Sequence, residues 1–358
     1  MADKKEIINA LNDSKGKIAM FVDGFIDEAC EIVATRSSLT EYTLFNKMNQ
    51  FADYIKKSGS GGVGLELIYK RSVFGGFTAN IGYAAARLGV GCAMVGTYGK
   101  DKIDPIFAEV DELCELYSLD DSALTSVYEF DDGKLLMSQM HNVQNITWQQ
   151  VVDFMGIDKI QALLAEADIV GVGYWSLVPA FDEIFEGVVE NMPKDGKTRR
   201  MFFDFADFRK KDEASLDYSL SLLVKYNEQF PMSLSVNEHE GATLFARYGK
   251  TLDDKGGDSE KIKADTEYVR DKMGLDELII HTPHFGAVAA CGKEPAFLPS
   301  VYVEKPVRSA GAGDNFNGGY IAASLAGLDM ETRLKVANAT VGHFLRTAVF
   351  PTVDDLEL

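Results

Sequence analysis

The sequence predicts an α/β protein of three layers, a mostly parallel central sheet covered by helices on both faces. Three observations carry that prediction. Continuous apolar runs such as residues 17–22 (KIAMFV) are of the kind that fills a buried parallel sheet. Over most of the chain such runs alternate with segments of helical period, the pattern of strand–helix units. The length of 358 residues, 46% hydrophobic and 25% charged, is ample for a buried core and typical of globular proteins.

Residues 1–16 read as a short amphipathic helix with Ile7, Ile8 and Leu11 on one side, an extension ahead of the first strand at 17–22. Residues 28–38 are β-prone. From Thr40, a plausible N-cap, to Lys57 the apolar positions Tyr42, Phe45, Met48, Phe51, Ala52 and Ile55 recur at helical spacing. A Gly/Ser loop at 58–64 leads to a second β-prone segment at 65–73. These two early segments break the strand–helix rhythm and are expected to form a small separate sheet.

Alternation follows: a helix at 79–88, a strand at 92–96, a helix at 105–116, and a hairpin of 125–130 and 134–140 around Asp131-Asp132-Gly133. Helix 158–166 precedes strand 168–172, and helix 180–191 precedes strand 200–205. Strand 233–236, helices 238–247 and 260–273, strand 277–281 and hairpin-like strands through 298 come next. A strand at 301–303, two helices at 315–326 and 331–347, and a tail from 351 to 358 complete the chain.

Lys plus Arg number 36 and Asp plus Glu 55, a net charge of −19. Such a chain repels phosphate backbones and anionic lipid, so no nucleic-acid or membrane partner is expected. Neither an apolar signal core at the N-terminus nor an apolar run of about 18 residues is present. Cys30, Cys92, Cys114 and Cys291 lack zinc-site spacing and read as buried free thiols of a reducing compartment. A cytoplasmic protein is expected.

The most informative segment is SVYVEKPVRSAGAGDNFNGGYIAASLAG. A strand enters a glycine-rich turn, and a helix leaves it. Gly311 and Gly313 can take φ > 0, and the helix N-terminus offers unpaired N–H groups to an anion. Asp314 falls at the same helix start, where its carboxylate could accept a proton from an attacking hydroxyl. Taken alone, the string is equally a structural turn with Asp314 as an N-cap. Gly318-Gly319 tilts the balance, because two glycines inside a helix cost about 1–2 kcal/mol relative to alanine and so imply close approach of another element.

This stretch closely resembles the C-terminal signature of the ribokinase-like (PfkB) superfamily, D-T-x-G-A-G-D-x-F-x-G-G. It matches through Gly311, Ala312, Gly313, Asp314, Phe316, Gly318 and Gly319. The resemblance implies that Asp314 is the general base and that the Gly311, Ala312 and Gly313 amides form the anion hole. Residues 75–89, with Gly75, Gly76, Asn80 and Ala86-Arg87-Leu88-Gly89, are similar to the family's substrate signature. They imply that Gly75, Gly76 and Asn80 hold substrate hydroxyls, with Asp27 as the substrate-binding acid; on its own, Asp27 is also a solvated turn residue. Asn237 and Glu240 match the family's N-x-x-E, which organises Mg²⁺ and phosphate largely through water.

The resemblance therefore implies a ribokinase-like domain over 17–350 with a β-sheet lid at about 28–38 and 65–73. ATP and Mg²⁺ are the expected cofactors, with a monovalent cation such as K⁺ as a further candidate. A small sugar or sugar-like substrate and a homodimer paired through the lid are the expected partners. A nucleoside kinase, with Phe25, Phe77 or Trp148 as an aromatic wall, and a non-catalytic sugar or nucleotide sensor are the alternatives. Three departures mark the chain. Arg308-Ser309 replaces the D-T whose Asp commonly contributes to substrate or monovalent-cation surroundings; Arg308 then either favours an anionic substrate or points to solvent. Pro283 occupies the first glycine position of the nucleotide-side loop, and Val22 stands where a glycine is common. His281 and His284 do not form a metal site by spacing, and His343 is either an adenine-pocket residue or a surface histidine.

Overall fold

Residues 2–59 and 61–358 are described by a computed structural model. Met1 of the N-terminal extension and Ser60 of the Gly/Ser loop lie outside the described residues. The strands, in chain order, are β1 Lys17–Phe21, β2 Phe25–Arg36, β3 Tyr42–Leu44, β4 Glu66–Gly75, β5 Gly91–Gly96, β6 Glu115–Ser118 and β7 Ala123–Phe130. They continue as β8 Gly133–Gln139, β9 Ile169–Val172, β10 Arg200–Asp204, β11 Met232–Asn237, β12 Glu277–His281, β13 Phe285–Ala290 and β14 Ala296–Pro299. The main sheet runs β14-β13-β12-β11-β10-β9-β1-β5-β6. Pairing is parallel from β6 through β12, whereas β13 pairs antiparallel with both β12 and β14.

The pleat of β1 shows why this sheet is buried on both faces. Ala19 and Phe21 join one core with the helices Phe181–Glu190 and Glu213–Asn227. Ile18 and Met20 join the other, with Phe77–Arg87, Ala312–Leu325 and Met330–Thr347. Successive side chains of a strand point to opposite faces, so an uninterrupted apolar run serves two helix layers. The N-terminal helix Lys4–Asp13 buries Ile7 and Leu11 in the second core, and Lys4 Nζ reaches the Leu356 carbonyl at 3.1 Å. Segments outside 17–350 thus pack on the same core as those inside it.

A second sheet of five strands sits apart, in the order β3-β2-β7-β8 with β4 also paired to β2. It contains both expected lid segments and three strands more. Phe25–Cys30 of β2 pairs parallel with Ala123–Tyr128 of β7, so the 123–139 hairpin joins the lid and not the main sheet.

Several sequence-based expectations are corrected. Helix 40–57 is shorter, Met48–Lys57, because Tyr42–Leu44 pairs with β2. Residues 105–116 hold only a short 3₁₀ turn and the four-residue helix Ala108–Asp111, since Glu115–Ser118 is claimed by the sheet beside β5. Helices Trp148–Met155 and Glu213–Asn227 went unpredicted, and 301–303 is not a strand. Cys291 is exposed; the other three thiols are buried, and all four are free. No helix among the described residues is long and apolar enough to cross a membrane.

Candidate active site

The carboxyl ends of five adjacent strands meet at one edge of the main sheet. Asp23 follows β1, Tyr174 follows β9, Asp204 ends β10, Asn237 ends β11 and His281 ends β12. Open α/β sheets bind ligands at such an edge. A cavity of about 750 Å³ lies here, lined by Tyr174, Asp204, Asn237, Glu240, His281 and the 311–314 loop, with Lys134 entering from the lid.

Gly311 caps the Ala312–Leu325 helix at φ 89°, a conformation that favours glycine. Gly313, expected to share that conformation, does not. It is small because the His281 ring packs on it, and an added Cβ would lie 3.0 Å from His281 Cε1. The Ala312 N–H donates to the Ser309 carbonyl at 3.2 Å, while the Gly311, Gly313 and Asp314 amides find no acceptor among the described residues. Three donors of a helix start are therefore free beside the cavity.

Asp314 is buried and does not cap its own helix. Its Oδ1 accepts from the Tyr174 hydroxyl at 2.5 Å, and its Oδ2 accepts from Asn80 Nδ2 at 2.8 Å. Burial pushes its carboxyl up to about 6, against the pull of these two donors and of the Arg308 guanidinium. Behind it lies the glycine pair: a Cβ on Gly318 would sit 2.5 Å from Ala84 Cβ, and one on Gly319 2.5 Å from Thr340 Oγ1. The glycines bring the Phe77–Arg87 and Met330–Thr347 helices against the Ala312–Leu325 helix, as their propensity cost suggested.

The residues expected to hold substrate lie on β2, β4 and the start of the Phe77–Arg87 helix. Asp27 pairs across β2 and β4, and its carboxylate fills the space beside Gly75, where a Cβ would lie 2.7 Å from Oδ2. Burial raises the Asp27 carboxyl, opposed by the Arg308 charge. Gly76 at φ 96° starts the Phe77–Arg87 helix, and Asp23 caps that helix by accepting from the Phe77 and Thr78 amides, each at 2.9 Å. Asn80 Oδ1 is buried without a partner. None of Asp27, Gly75, Gly76 and Asn80 lines the large cavity itself; Asn80 reaches it through Asp314.

Asn237 and Glu240 form a capping box on the Glu238–Arg247 helix. Asn237 Oδ1 accepts from the His239 and Glu240 amides, while Asn237 N donates to Glu240 Oε2 at 3.0 Å and Nδ2 to Oε1 at 2.6 Å. Burial and the nearby Asp204 charge raise the Glu240 carboxyl. Asp204, in turn, is pushed up to about 7 by burial and by Asp314, and it accepts from Asn317 Nδ2 at 3.0 Å. Among the described residues, no group of three His, Cys, Asp or Glu side chains is placed to hold a metal directly.

The chain resembles known proteins over nearly its whole length. A family model described as prokaryotic ketohexokinase matches residues 2–358. The chain belongs to the prokaryotic ketohexokinase family. A ketohexokinase of Haloferax volcanii is 26% identical over 346 residues, covering 95% of this chain and 90% of that protein. The fold is that of the ribokinase-like kinases. Arabidopsis thaliana ribokinase complexed with ribose and ATP superposes with a TM-score of 0.61 at 17% identity, over 96% of each chain. Adenosine kinase from Sinorhizobium meliloti superposes at 0.62 and 14% identity, over 94% of this chain and 97% of that one. As a member of the ketohexokinase family, the chain is a carbohydrate kinase, a phosphotransferase with an alcohol group as acceptor.

The family member's departures resolve physically. Arg308 does not point to solvent: it is buried, stacked over Phe344, and donates from Nη2 to the Phe74 carbonyl at 3.2 Å. Pro283 lines the cavity in the tight turn between β12 and β13, where Thr282 Oγ1 accepts the His284 and Phe285 amides and no N–H at 283 is needed. His343 does not line the cavity, whereas its neighbours Val341 and Gly342 do. Phe77 and Trp148 are committed to packing on Gly173 and Gly187, which leaves Phe25 alone near the acceptor glycines.

Sequence reasoning missed Tyr174, Asp204, Lys134 and the ring position of His281. Asp204 had a usable signal, an acid closing the apolar strand RMFF at the carboxyl edge of a parallel sheet. Burial lowers the His281 imidazole to about 4, so it is neutral at pH 7, and its Nε2 lacks a partner. Lys134 reaches Ser309 Oγ at 3.5 Å, and burial lowers its ammonium pKa against the pull of Asp27.

Proposed function

We propose that this carbohydrate kinase transfers the γ-phosphoryl group of ATP to a hydroxyl of a ketohexose, with Asp314 as general base. The observation that supports the reading most is the two-point anchorage of Asp314 beside three unpaired amides. Phosphoryl transfer depends chiefly on positioning and on stabilising charge, and both are supplied there. Asp314 takes the hydroxyl proton as the sugar oxygen attacks phosphorus, and the loop amides meet the charge gathering on the phosphoryl oxygens. A carboxyl titrating at about 6 is ionised above neutrality and still near working pH. Asn80 Oδ1, buried and unpartnered, suits a sugar hydroxyl as donor. Gly75 admits the Asp27 carboxylate against the β4 backbone, and Asp27 accepts from a second hydroxyl.

Kinship with the prokaryotic ketohexokinases and with the Haloferax volcanii ketohexokinase supports the ketohexose as acceptor. Mg²⁺ fits the oxygen donors Asp204, Asn237 and Glu240, which would hold it through retained waters. Bound there, the ion supplies positive charge to the nucleotide phosphates. Arg308 stands where the signature has its acid, so a K⁺ at that point would meet a buried guanidinium, and the proposal includes none. We also infer a homodimer through the lid, because β4 exposes Leu67 and Tyr69 and β8 exposes Met137.

The test is ADP release from Mg·ATP with ketohexoses, aldoses, sugar acids and nucleosides as acceptors. Turnover confined to ketohexoses is the expected result. Turnover with nucleosides alone, or with no acceptor at all, contradicts it.

A further inference from the structure

A further cavity, of about 260 Å³, is bounded in part by Ser72, Val73 and Phe74 of β4, the strand that pairs with β2 at Asp27. Its polar lining is Arg87, Arg308, Glu109, Tyr83 and Ser72, with Phe74, Val349 and Phe350 among its apolar walls. The two arginines are unusual for a chain of net charge −19. Each donates only to a main-chain carbonyl, Arg87 Nε to Phe350 at 3.1 Å and Arg308 Nη2 to Phe74 at 3.2 Å. Neither pairs with a carboxylate among the described residues, and the buried Arg308 Nε has no partner at all. A buried guanidinium N–H without an acceptor carries a desolvation cost that a bound anion would offset.

The geometry is already prepared. Arg308 is held over the Phe344 and Phe350 rings, with its guanidinium carbon 5.1 Å and 6.0 Å from their centroids. Little side-chain freedom remains to be lost on binding. The Glu109 carboxylate is occupied by the Tyr83 hydroxyl at 3.0 Å. It disfavours a bare dianion and favours an oxyanion that carries its own donor, as monohydrogen phosphate does. The apolar walls and small volume leave space for a group of that size.

We propose that this cavity is a second ligand site, for a small phosphate-sized oxyanion, and that Arg308 couples it to the acceptor side of the active site. Arg308 is shared: it faces the cavity, and its charge also opposes the cost of ionising the half-buried Asp27. An anion that engages Arg308 weakens that support, and binding at the two sites is then linked in both directions. The coupling rests on the acceptor role proposed for Asp27; the binding does not.

The experiment titrates inorganic phosphate calorimetrically into the full chain saturated with Mg²⁺ and a non-hydrolysable ATP analogue, so that the catalytic cavity is filled. One phosphate should bind the wild type, and Arg87→Gln should weaken it at least about tenfold by removing a charge-assisted hydrogen bond. Val349→Trp, at an exposed position on the wall, should block it without touching either arginine. Equal binding by wild type and both variants, or none by the wild type, overturns the site. For the coupling, phosphate should raise the sugar KM of the wild type at least about fivefold, the low end of couplings between sites, and leave that of Val349→Trp unmoved. Phosphate binding with an unchanged KM overturns the coupling and leaves the site.

Discussion

The Tyr174 hydroxyl and Asp314, 140 residues apart in the chain, are joined by a 2.5 Å hydrogen bond to Oδ1. This bond brings the end of β9 to the start of the catalytic-loop helix. It also opposes the burial that drives the Asp314 carboxyl up to about 6. Tyr174→Phe removes the donor, so the carboxyl should rise further. The acid limb of the kcat–pH profile should move up by about one unit, while kcat above pH 8 changes little. An unmoved acid limb would separate the titration from Asp314.

Asp204 should destabilise the fold in exchange for its place in the cavity. Its folded-state carboxyl titrates at about 7, above an ordinary aspartate, so the folded chain binds more protons than the unfolded chain in between. Stability is therefore lost as pH rises from about 4 to about 7. Asp204→Asn should gain stability on the order of 1 kcal/mol at pH 8, the gain vanishing below about pH 4, with kinase activity lost. Denaturant titrations at the two pH values check the sign, and a variant less stable at pH 8 would contradict it.

The capping of Asn237 can be separated from the phosphate-side role expected of it. Ser is as good an N-cap as Asn, so Asn237→Ser should leave the melting temperature nearly unchanged. If Asn237 also organises the phosphate side, kcat should fall at least about tenfold, as for loss of an organising hydrogen bond in the transition state. Full activity in this variant would reduce Asn237 to a cap.

Gly318→Ala gains helix propensity and should still destabilise. The new Cβ would lie 2.5 Å from Ala84 Cβ and 3.0 Å from the Ile81 carbonyl oxygen. Overpacking of this kind costs about 1–3 kcal/mol. Urea denaturation reads the difference, and an equally stable variant would mean that the two helices move apart freely.

The backbone of the 311–319 segment was legible because each local pattern demands a particular conformation or a close approach. Gly311 must reach a positive φ, and Gly318 must admit Ala84. The main strands were legible as apolar runs. What stayed hidden depends on long-range pairing. The 123–139 hairpin reads the same whichever sheet it joins, and only its parallel pairing with β2 decides. The Glu213–Asn227 helix was missed because Ser219 is buried among Leu216, Leu220 and Leu223, which blurs its apolar stripe. Tyr174 carries no local signal, since its role exists only once β9 and the 311–314 loop meet.

The most direct measurement is the turnover of Asp314→Asn with Mg·ATP and the preferred ketohexose, alongside wild type. Asparagine keeps the size and can still meet the Tyr174 hydroxyl, but it cannot take a proton. With Asp314 as the base, kcat should fall by at least about 10²-fold with the fold intact by circular dichroism. Wild-type turnover in that variant would contradict Asp314 as the base.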